Sequence, residues 1–265
     1  MRFVVFEPEM QIRAARRGDI EAELRCALAE SQLYVVYQPV VGLRTRGAID
    51  CTVGVEALVR WLHPTRGVVM PIEFIAVAEE CGLIVHWQNE LGPRAPRTLA
   101  VNLSRAQLAQ PGFVSTVEAI LRGTQMPPAS LQLEMTESLA AQHDQVREQL
   151  RQLKSLGLTL ALDDFGTGYS SLASLHLLPV DTVKIDRSFV RQSDSSAHHR
   201  VLIEATVRVA NSLGMTTVAE GIETDAQAAV VRELGCDKGQ GYLYSAPLLP
   251  DEVAHWLRSP GNQAA

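Results

Sequence analysis

The stretch LALDDFGTGYSS, residues 160–171, decides how the rest of the sequence is interpreted. An apolar run that is typical of a buried strand ends in two adjacent aspartates, Asp163 and Asp164, and the glycines Gly166 and Gly168 follow. Neighbouring carboxylates repel each other, so their position at the end of an apolar strand needs a reason. Taken alone, either aspartate could cap a helix, and either glycine could form a tight strand–helix turn.

Strand-like runs recur along the chain and alternate with helical patterns. The strands are predicted at 33–41, 52–59, 98–103, 131–135, 159–162, 182–185, 216–219 and 241–244, and the helices at 71–82, 144–155, 197–213 and 225–234, the last with Asp225 as its cap. Regular alternation predicts an α/β fold with a mainly parallel sheet, and eight units favour a closed (β/α)8 TIM-like barrel. A doubly wound open sheet is the alternative, which is disfavoured because no GxGxxG follows the first strand.

Composition disfavours several classes of function. The 265-residue chain is 46% hydrophobic and 20% charged, and its net charge of −6 disfavours binding of a nucleic-acid polymer, which needs a basic face. Its four cysteines include no CxxC pair, so neither a disulfide framework nor a zinc site is predicted, and a reducing cytoplasm is the expected location. No bilayer-spanning apolar run or signal peptide is recognisable, so no membrane contact is expected of this segment, although it could be the cytoplasmic part of a membrane-attached protein.

Polar residues stand where the predicted strands end, which is where a β/α barrel places its chemistry. They are Glu56, Asn102, Glu134, Asp163, Asp164, Lys184 and Glu220, with Gln240 just before the last strand. Singly, a glutamate could face solvent, Asn102 could lie in a turn, and Lys184 could be a surface charge. Together, five carboxylates and one amide would meet at one mouth, where buried charges need cations.

The expected ligands are hard oxygens without histidine or cysteine, which selects Mg²⁺ or Mn²⁺. One aspartate of the pair could bridge two ions while its neighbour reaches the second. Two ions about 3.5–4 Å apart suit in-line attack on a phosphodiester. Lys184 could orient metal-bound hydroxide and stabilise the charge that develops on phosphorus, and Arg60 could bind a phosphate through two hydrogen bonds.

Nine motifs, in this order, resemble the EAL family of cyclic di-GMP phosphodiesterases over residues 24–257. They are YQP (37–39), EALVRW (56–61), HPTRG (63–67), VNLS (101–104), EMTES (134–138), DDFGTGYSS (163–171), KIDRSFV (184–190), AEGIET (219–224) and QGYLYSAP (240–247). The resemblance implies a (β/α)8-type barrel with an antiparallel first strand. It also implies hydrolysis of cyclic di-GMP to linear pGpG with two ions of Mg²⁺ or Mn²⁺.

The resemblance further implies a role for each matching residue. The first metal would be ligated by Glu56, Asn102, Glu134 and Asp163, and the second by Asp163 and Asp164, with Glu220 in or beside its shell. The catalytic set would be Lys184, Glu56, Asp163 and Glu220, with Lys184 and Gln240 near the attacking water. The dinucleotide would be faced by Gln38, Arg60, Gln240, Ser245 and Pro247. Glu137 would hold the loop of Phe165, Gly166 and Gly168, which links the site to a dimer interface, so a homodimer is expected.

The resemblance also divides the chain. Residues 1–20 resemble the end of a GGDEF domain and its connector, residues 21–258 would form the barrel domain, and residues 259–265 a tail. An upstream GGDEF or sensory domain is therefore expected in the full-length protein. Two regions depart from the family pattern: 42–53 is longer, and 82–100 is shorter and carries Pro93 and Pro96, which interrupt a helix. The shortened region could weaken the fold or expose a partner surface.

Two functions from different classes stay open. One is an active phosphodiesterase, and the other is a catalytically silent module that binds cyclic di-GMP and signals through a partner. The sequence retains every proposed metal ligand and the DDFG stretch, which silent members typically lack in part, so the enzyme is favoured. An unrelated metal-dependent barrel enzyme, such as an enolase-like one, would not bind cyclic di-GMP at all.

Overall fold

The computed structural model describes residues 32–43, 50–63, 67–69, 96–108, 110–140, 144–166 and 172–258. The chain forms two compact units, a smaller one of Met1–Val35 and Val59–Ile72, and a larger one of Val36–Leu58 and Glu73–Ala265. The predicted connector at 1–20, the helix at 71–82, Gly168 and the tail at 259–265 lie outside the described residues, as does most of the shortened region 82–100.

Strands and helices alternate along the described chain, as the sequence predicts. The strands are β1 (Leu33–Gly42), β2 (Asp50–His63), β3 (Gly67–Val69), β4 (Thr98–Asn102), β5 (Leu131–Thr136), β6 (Thr159–Phe165), β7 (Thr182–Ile185), β8 (Thr216–Ala219) and β9 (Lys238–Gly239). The α-helices are α1 (Arg105–Leu108), α2 (Phe113–Thr124), α3 (Glu137–Ala140), α4 (Asp144–Ser155), α5 (Arg187–Val190), α6 (Ala197–Ser212), α7 (Asp225–Glu233) and α8 (Pro250–Arg258). Short 3-10 helices cover Pro128–Ser130 and Leu172–Leu177.

The sheet of the larger unit closes on itself. Its strands follow the order β1-β9-β8-β7-β6-β5-β4-β2, and β1 also pairs with β2, which completes an eight-stranded barrel. Every pair from β2–β4 through β8–β9 is parallel, whereas β1 pairs antiparallel with β9. The predicted (β/α)8 TIM-like barrel with an antiparallel first strand is therefore confirmed. In the smaller unit, β3 pairs antiparallel with the end of β2, from Trp61 opposite Val69 to His63 opposite Gly67.

The strands are apolar because helices cover their outer faces while side chains fill the interior. In β5, all residues from Leu131 to Met135 are buried, which is typical of a strand covered on both faces. Gln132 and Glu134 alternate with the leucines and line a small cavity inside the barrel. On the outside, α4 buries Leu150 and Leu153 completely, as the leucine spacing of an amphipathic helix predicts.

Two local predictions are wrong. The last strand, predicted at 241–244, is instead β9 at Lys238–Gly239, and residues 241–244 form a turn. That turn is held by Ile222, whose N–H donates to the Gln240 carbonyl at 3.0 Å and whose carbonyl accepts from Leu243 N–H at 3.0 Å. The cap of α7 is Thr224 rather than Asp225, because Thr224 and Gln227 form a reciprocal capping box.

Gly221 and Gly214 provide a matched pair for testing how closely the loop after β8 is packed. Both have left-handed backbone, with φ of +65° and +72°, yet a methyl group on Gly221 would lie 2.4 Å from Arg187 Cβ, whereas one on Gly214 would meet nothing within 4 Å. We expect Gly214→Ala to lower the free energy of unfolding by about 1 kcal/mol. Gly221→Ala should cost about 1–3 kcal/mol more, because overpacking adds to the strain. Urea unfolding of both variants measures the difference, and equal losses would contradict the close contact.

Candidate active site

Lys184 on β7 lies at the centre of the site, with 2% of its side chain exposed. Its Nζ is 2.5 Å from Glu134 Oε2, 2.8 Å from Glu220 Oε1, 3.2 Å from Asp163 Oδ1 and 3.4 Å from Glu56 Oε2. These carboxylates come from four different strands or strand ends, so the predicted convergence of acids is found in the structure. Lys184 Nζ donates hydrogen bonds to Glu134 and Glu56, and it forms ion pairs with Glu220 and Asp163.

Side-chain amides fix the orientation of Glu56. Asn102 Nδ2 donates to Glu56 Oε1 at 3.0 Å, and Gln240 Nε2 donates to Glu56 Oε2 at 2.7 Å. Gln240 Nε2 also lies 3.1 Å from Gln38 Oε1, and Gln38 Nε2 donates to the Ser245 carbonyl at 3.2 Å. The chain of amides runs from the Ser245 backbone to the buried carboxylate, which holds Glu56 in one rotamer.

Strand register explains why these residues meet. In the parallel pair β4–β5, Asn102 lies opposite Glu134, and in β7–β8, Lys184 lies opposite Val218, two residues before Glu220. Asn102, Glu134 and Lys184 lie in the carboxyl-terminal halves of their strands, and Glu220 directly follows β8. Glu56 lies within β2 opposite Ala100, two residues before Asn102, so the side chains reach the same rim of the barrel. A cavity of about 400 Å³ opens there. Its described lining comprises Gln38, Glu56, Leu58, Asp163, Asp164, Lys184, Asp186, Arg187, Glu220, Gly221, Glu223, Gln240, Gly241 and Tyr242.

A backbone irregularity brings Asp163 and Asp164 to the same side of the strand. Successive residues of a regular strand point to opposite faces, which would separate the two carboxylates. Here the β6–β7 register shifts between Leu162 and Phe165, and Asp164 has φ of +52°. As a result, carboxylate oxygens of Asp163, Asp164 and Glu220 lie within 4.8 Å of one another. The adjacent aspartates of the sequence therefore act as a convergent pair.

The charges of the centre stabilise one another. Burial alone would lower the pKa of Lys184, but the surrounding carboxylates outweigh it and raise the pKa well above its usual value. Burial likewise opposes ionisation of Glu56, yet the attraction of Lys184 and the hydrogen bonds from Gln240 and Asn102 lower the pKa of Glu56 below its usual value. Lys184 and Glu56 are thus a charged pair at neutral pH.

Two other glutamates of the centre retain protons more readily. Burial raises the pKa of Glu134 well above its usual range, and repulsion from Glu56 and Asp163 adds to the shift, although Lys184 opposes it. Burial raises the pKa of Glu220 to about 8, with Asp163 and Glu56 repelling it and Lys184 again opposing. One lysine is therefore too little positive charge for this number of carboxylates.

The donor set fits hard divalent cations. Asp163, Asp164 and Glu220 could hold an ion through oxygen atoms alone. Asp163 Oδ1 is buried and, apart from its approach to Lys184 Nζ, accepts no hydrogen bond in the described part of the chain. Asn102, a predicted ligand, donates its amide N–H to Glu56, which leaves only its carbonyl oxygen for an ion.

Glu137, Phe165 and Gly166 form a second group beside the site. Glu137 is buried, and burial raises the pKa of Glu137, while the nearby Gly166 backbone N–H partly offsets this. Neither of its carboxylate oxygens accepts a geometrically good hydrogen bond from the described residues. Gly166 packs so closely on Phe189 that an added methyl would lie 2.9 Å from the ring, and Phe165 is buried.

Of the predicted substrate contacts in the larger unit, Gln38 and Gln240 line the described cavity. Ser245 contacts Gln38 through its carbonyl, and Pro247 is not among the described lining residues. Arg60 belongs to the smaller unit, where its Nη1 donates to the Val59 carbonyl at 2.9 Å.

Sequence reasoning missed four lining residues that carry polar side chains: Asp186, Arg187, Glu223 and Tyr242. Each lies two or three residues beyond a residue that the sequence analysis selected, namely Lys184, Glu220 or Gln240. The signal that marks them in the sequence is a polar side chain in the segment that directly follows a strand end.

A closed β/α barrel with a carboxylate-rich cavity at its carboxyl rim defines an α/β-barrel protein with a candidate divalent-metal centre. A model of the EAL domain matches residues 21–247 of the chain. The cyclic di-GMP phosphodiesterase NbdA of Pseudomonas aeruginosa is 38% identical over 98% of this chain and 34% of its own length. The solved PaMucR phosphodiesterase in its c-di-GMP complex is 35% identical, with a TM-score of 0.78 over 89% of this chain and 99% of that one. The EAL enzyme Bd1971 in its cAMP- and cyclic-di-GMP-bound form is 28% identical, with a TM-score of 0.84 over 93% of this chain and 70% of that one.

The chain therefore belongs to the EAL domain family, which confirms the resemblance found in its motifs. It spans about a third of the length of the curated relatives it matches: 32% of protein y4lL of Sinorhizobium fredii and 34% of NbdA. Among the described residues, no helix combines the length and the apolar character that crossing a membrane requires.

Replacing the central lysine tests whether it holds the acids together. Lys184→Met should lower the free energy of unfolding, measured with a chelator present, by about 3 kcal/mol at pH 8. The loss should be smaller near pH 5. The raised pKa of Glu220, about 8, means that the folded state binds its proton more tightly than the unfolded state does. Proton binding by Glu220 therefore stabilises the folded state fully below about pH 4.5, and this stabilisation declines as the pH rises towards 8.

The matched control is Lys154→Met. Lys154 pairs with Asp181 at 2.5 Å, but both side chains are one-third exposed, so the loss should be at most about 1 kcal/mol. If Lys184→Met cost no more than this control at pH 8, Lys184 would not be the stabilising cation of the site.

The left-handed conformation of Asp164 predicts opposite effects on stability and on ion binding. Asp164→Gly should raise the free energy of unfolding by about 0.5–1 kcal/mol, because glycine adopts positive φ without strain and repulsion by Asp163 is removed. Asp164→Asn keeps the shape of the side chain and loses its charge, so it should raise the free energy of unfolding by a smaller amount. Both variants should bind Mn²⁺ more weakly in calorimetric titrations, and unchanged Mn²⁺ affinity in both would exclude Asp164 as a ligand.

Proposed function

We propose that this chain is a metal-dependent phosphodiesterase that hydrolyses cyclic di-GMP to linear pGpG. The observation that carries the proposal is the convergence of Asp163, Asp164 and Glu220 beside the buried Lys184 at the carboxyl rim of the barrel. NbdA is named as a cyclic di-GMP phosphodiesterase, and PaMucR is a phosphodiesterase solved with c-di-GMP, which supports the same reaction here.

The residues that would hold Mg²⁺ or Mn²⁺ form two overlapping groups. One group is Glu56, Asn102, Glu134 and Asp163, and the other is Asp163, Asp164 and Glu220. Bound divalent ions would polarise the phosphodiester and make water a stronger nucleophile at neutral pH. Hydrolysis forms a bond from the water oxygen to phosphorus and breaks the bond from phosphorus to one 3′ oxygen, which takes up a proton.

The protein's own contribution is to preorganise the charges. Lys184 keeps four carboxylates within hydrogen-bonding or ion-pairing distance, so it acts mainly as the positioning residue of the centre. The Glu56 carboxylate is fixed by donors from Asn102, Gln240 and Lys184. Gln240 Oε1 is a buried acceptor without a hydrogen-bond partner among the described residues, so it is available to orient the attacking water through one of its protons.

Other assignments remain proposals. Gln38, Arg60, Ser245 and Pro247 would contact the dinucleotide, and Glu137 would hold the loop that begins at Phe165 and Gly166. The homodimer and the upstream GGDEF or sensory domain are likewise expectations from the family resemblance, and the cytoplasmic location is an expectation from the cysteine pattern.

The experiment is a pGpG assay with cyclic di-GMP and Mg²⁺ or Mn²⁺. The parent chain should form pGpG, and removal of divalent ions by a chelator should stop it. Asp163→Asn should abolish turnover, a loss of at least about 10³-fold, because this residue belongs to both proposed ligand groups. Its melting temperature should stay close to that of the parent. Asp194→Asn is the matched control, since Asp194 is exposed and outside the described cavity lining.

The outcomes separate the candidate functions. Turnover retained in Asp163→Asn would refute the shared-ligand role. A parent chain that binds cyclic di-GMP and never yields pGpG would instead be a silent binding module. A parent chain that does not bind cyclic di-GMP would be neither.

A further inference from the structure

We propose that Arg187 is a substrate-binding residue whose guanidinium group contacts a phosphodiester of the dinucleotide. The inference rests on the proposed function and assigns to that site a group that the ligand set does not include. The evidence is the position of Arg187 in the cavity, the negative charges of the residues around it, and the four carboxylates that already contact the Lys184 ammonium.

The position of Arg187 is fixed on two sides. Arg187 is the first residue of α5, directly after Asp186, whose side chain accepts from Ser188 N–H at 2.9 Å and caps the helix. On the other side, its backbone packs on the loop after β8, because a methyl group on Gly221 would lie 3.3 Å from Arg187 Cα. The side chain therefore starts from a rigid point beside Glu220 and lines the cavity.

The described lining of the cavity carries an excess of negative charge. Its acidic members are Glu56, Asp163, Asp164, Asp186, Glu220 and Glu223, and its cationic members are Lys184 and Arg187. A dianionic dinucleotide enters such a cavity only if cations face it. Divalent ions held by the carboxylates would supply part of this positive charge. A basic side chain that is exposed to solvent would supply the rest.

Lys184 does not satisfy that condition, whereas Arg187 does. The Lys184 side chain is 2% exposed, and its Nζ lies within 3.4 Å of four carboxylates. Arg187 is exposed, and it forms no ion pair with the residues that the structure describes, although its charge acts on Asp164 at longer range. Arg187 is thus the basic side chain of the described lining that remains open to an incoming anion.

The chemistry of arginine fits this role. Guanidinium is planar, stays charged at every physiological pH and donates two parallel hydrogen bonds to a phosphate. A group that approaches substrate from solvent at the rim, beside the acids that would hold the ions, would contact a phosphodiester rather than a base edge. Loss of a hydrogen bond to a charged group typically weakens binding by about 10- to 100-fold.

The test compares Arg187→Ala and Arg187→Lys with Arg191→Ala. Arg191 is an exposed arginine at the other end of the same short helix and is outside the described cavity lining. We expect Arg187→Ala to raise the KM for cyclic di-GMP about 10- to 100-fold with kcat within about threefold of the parent. Arg187→Lys should recover part of the loss, and Arg191→Ala should match the parent.

A binding measurement separates this inference from the proposed function. The Kd of cyclic di-GMP is titrated with Ca²⁺ in place of Mg²⁺, because Ca²⁺ takes the same kind of oxygen ligands with a looser geometry. Arg187→Ala should raise this Kd by the same factor as the KM. An unchanged Kd, or a fall in kcat alone, would overturn the role of Arg187 and leave the phosphodiesterase assignment intact. If the parent chain neither binds nor hydrolyses cyclic di-GMP, both proposals fail. Melting curves identify variants that do not fold, and Arg187→Gln, which keeps most of the side chain, then replaces Arg187→Ala.

Discussion

The site depends on the cation inside its ring of acids. Four carboxylates approach Lys184 Nζ between 2.5 Å and 3.4 Å, and without a positive charge their burial would force protonation or keep the strand ends apart. The raised pKa values of Glu134 and Glu220 indicate that even this cation is insufficient for complete ionisation. A centre that still attracts positive charge supports the proposal that divalent ions bind between these carboxylates.

The barrel makes this arrangement possible because the charged and polar side chains of the site come from several different strands. Each parallel strand contributes a polar residue or two where its apolar run ends, and register brings neighbours such as Asn102 and Glu134 side by side. Each strand therefore contains only one or two polar residues of the site, and the rest of the strand can stay apolar and buried in the core. The turns beyond the strands supply a different kind of residue, exposed rather than buried, so that Lys184 and Arg187 serve separate purposes although they lie three positions apart.

The sequence allowed much of this to be anticipated, for identifiable reasons. Parallel strands read as short apolar runs, and their carboxyl ends meet, so Glu56, Asn102, Glu134 and Glu220 could be assigned to one rim without coordinates. Local backbone conformation that depends on one or two specific hydrogen bonds could not be predicted from the sequence. Residues 241–244 have a strand-like composition, yet the turn around Ile222 prevents pairing, and Thr224 rather than Asp225 caps α7 although either residue type is a good cap. Arg187 lies beyond the strand end at which Lys184 was selected, so the sequence offers it only as one of several polar residues that follow a strand, and its packing on Gly221 is visible only in the structure.

The bend at Asp164 has a consequence for how such a protein would respond to selection. Position 164 places an aspartate in a conformation that glycine adopts more readily, next to another acid that repels it. A laboratory search for heat-resistant variants, with no test of ion binding, would therefore tend to replace this residue early, and with it one carboxylate of the proposed metal site. Engineering of this domain for durability should accordingly hold position 164 constant and seek its gains in the outer helices.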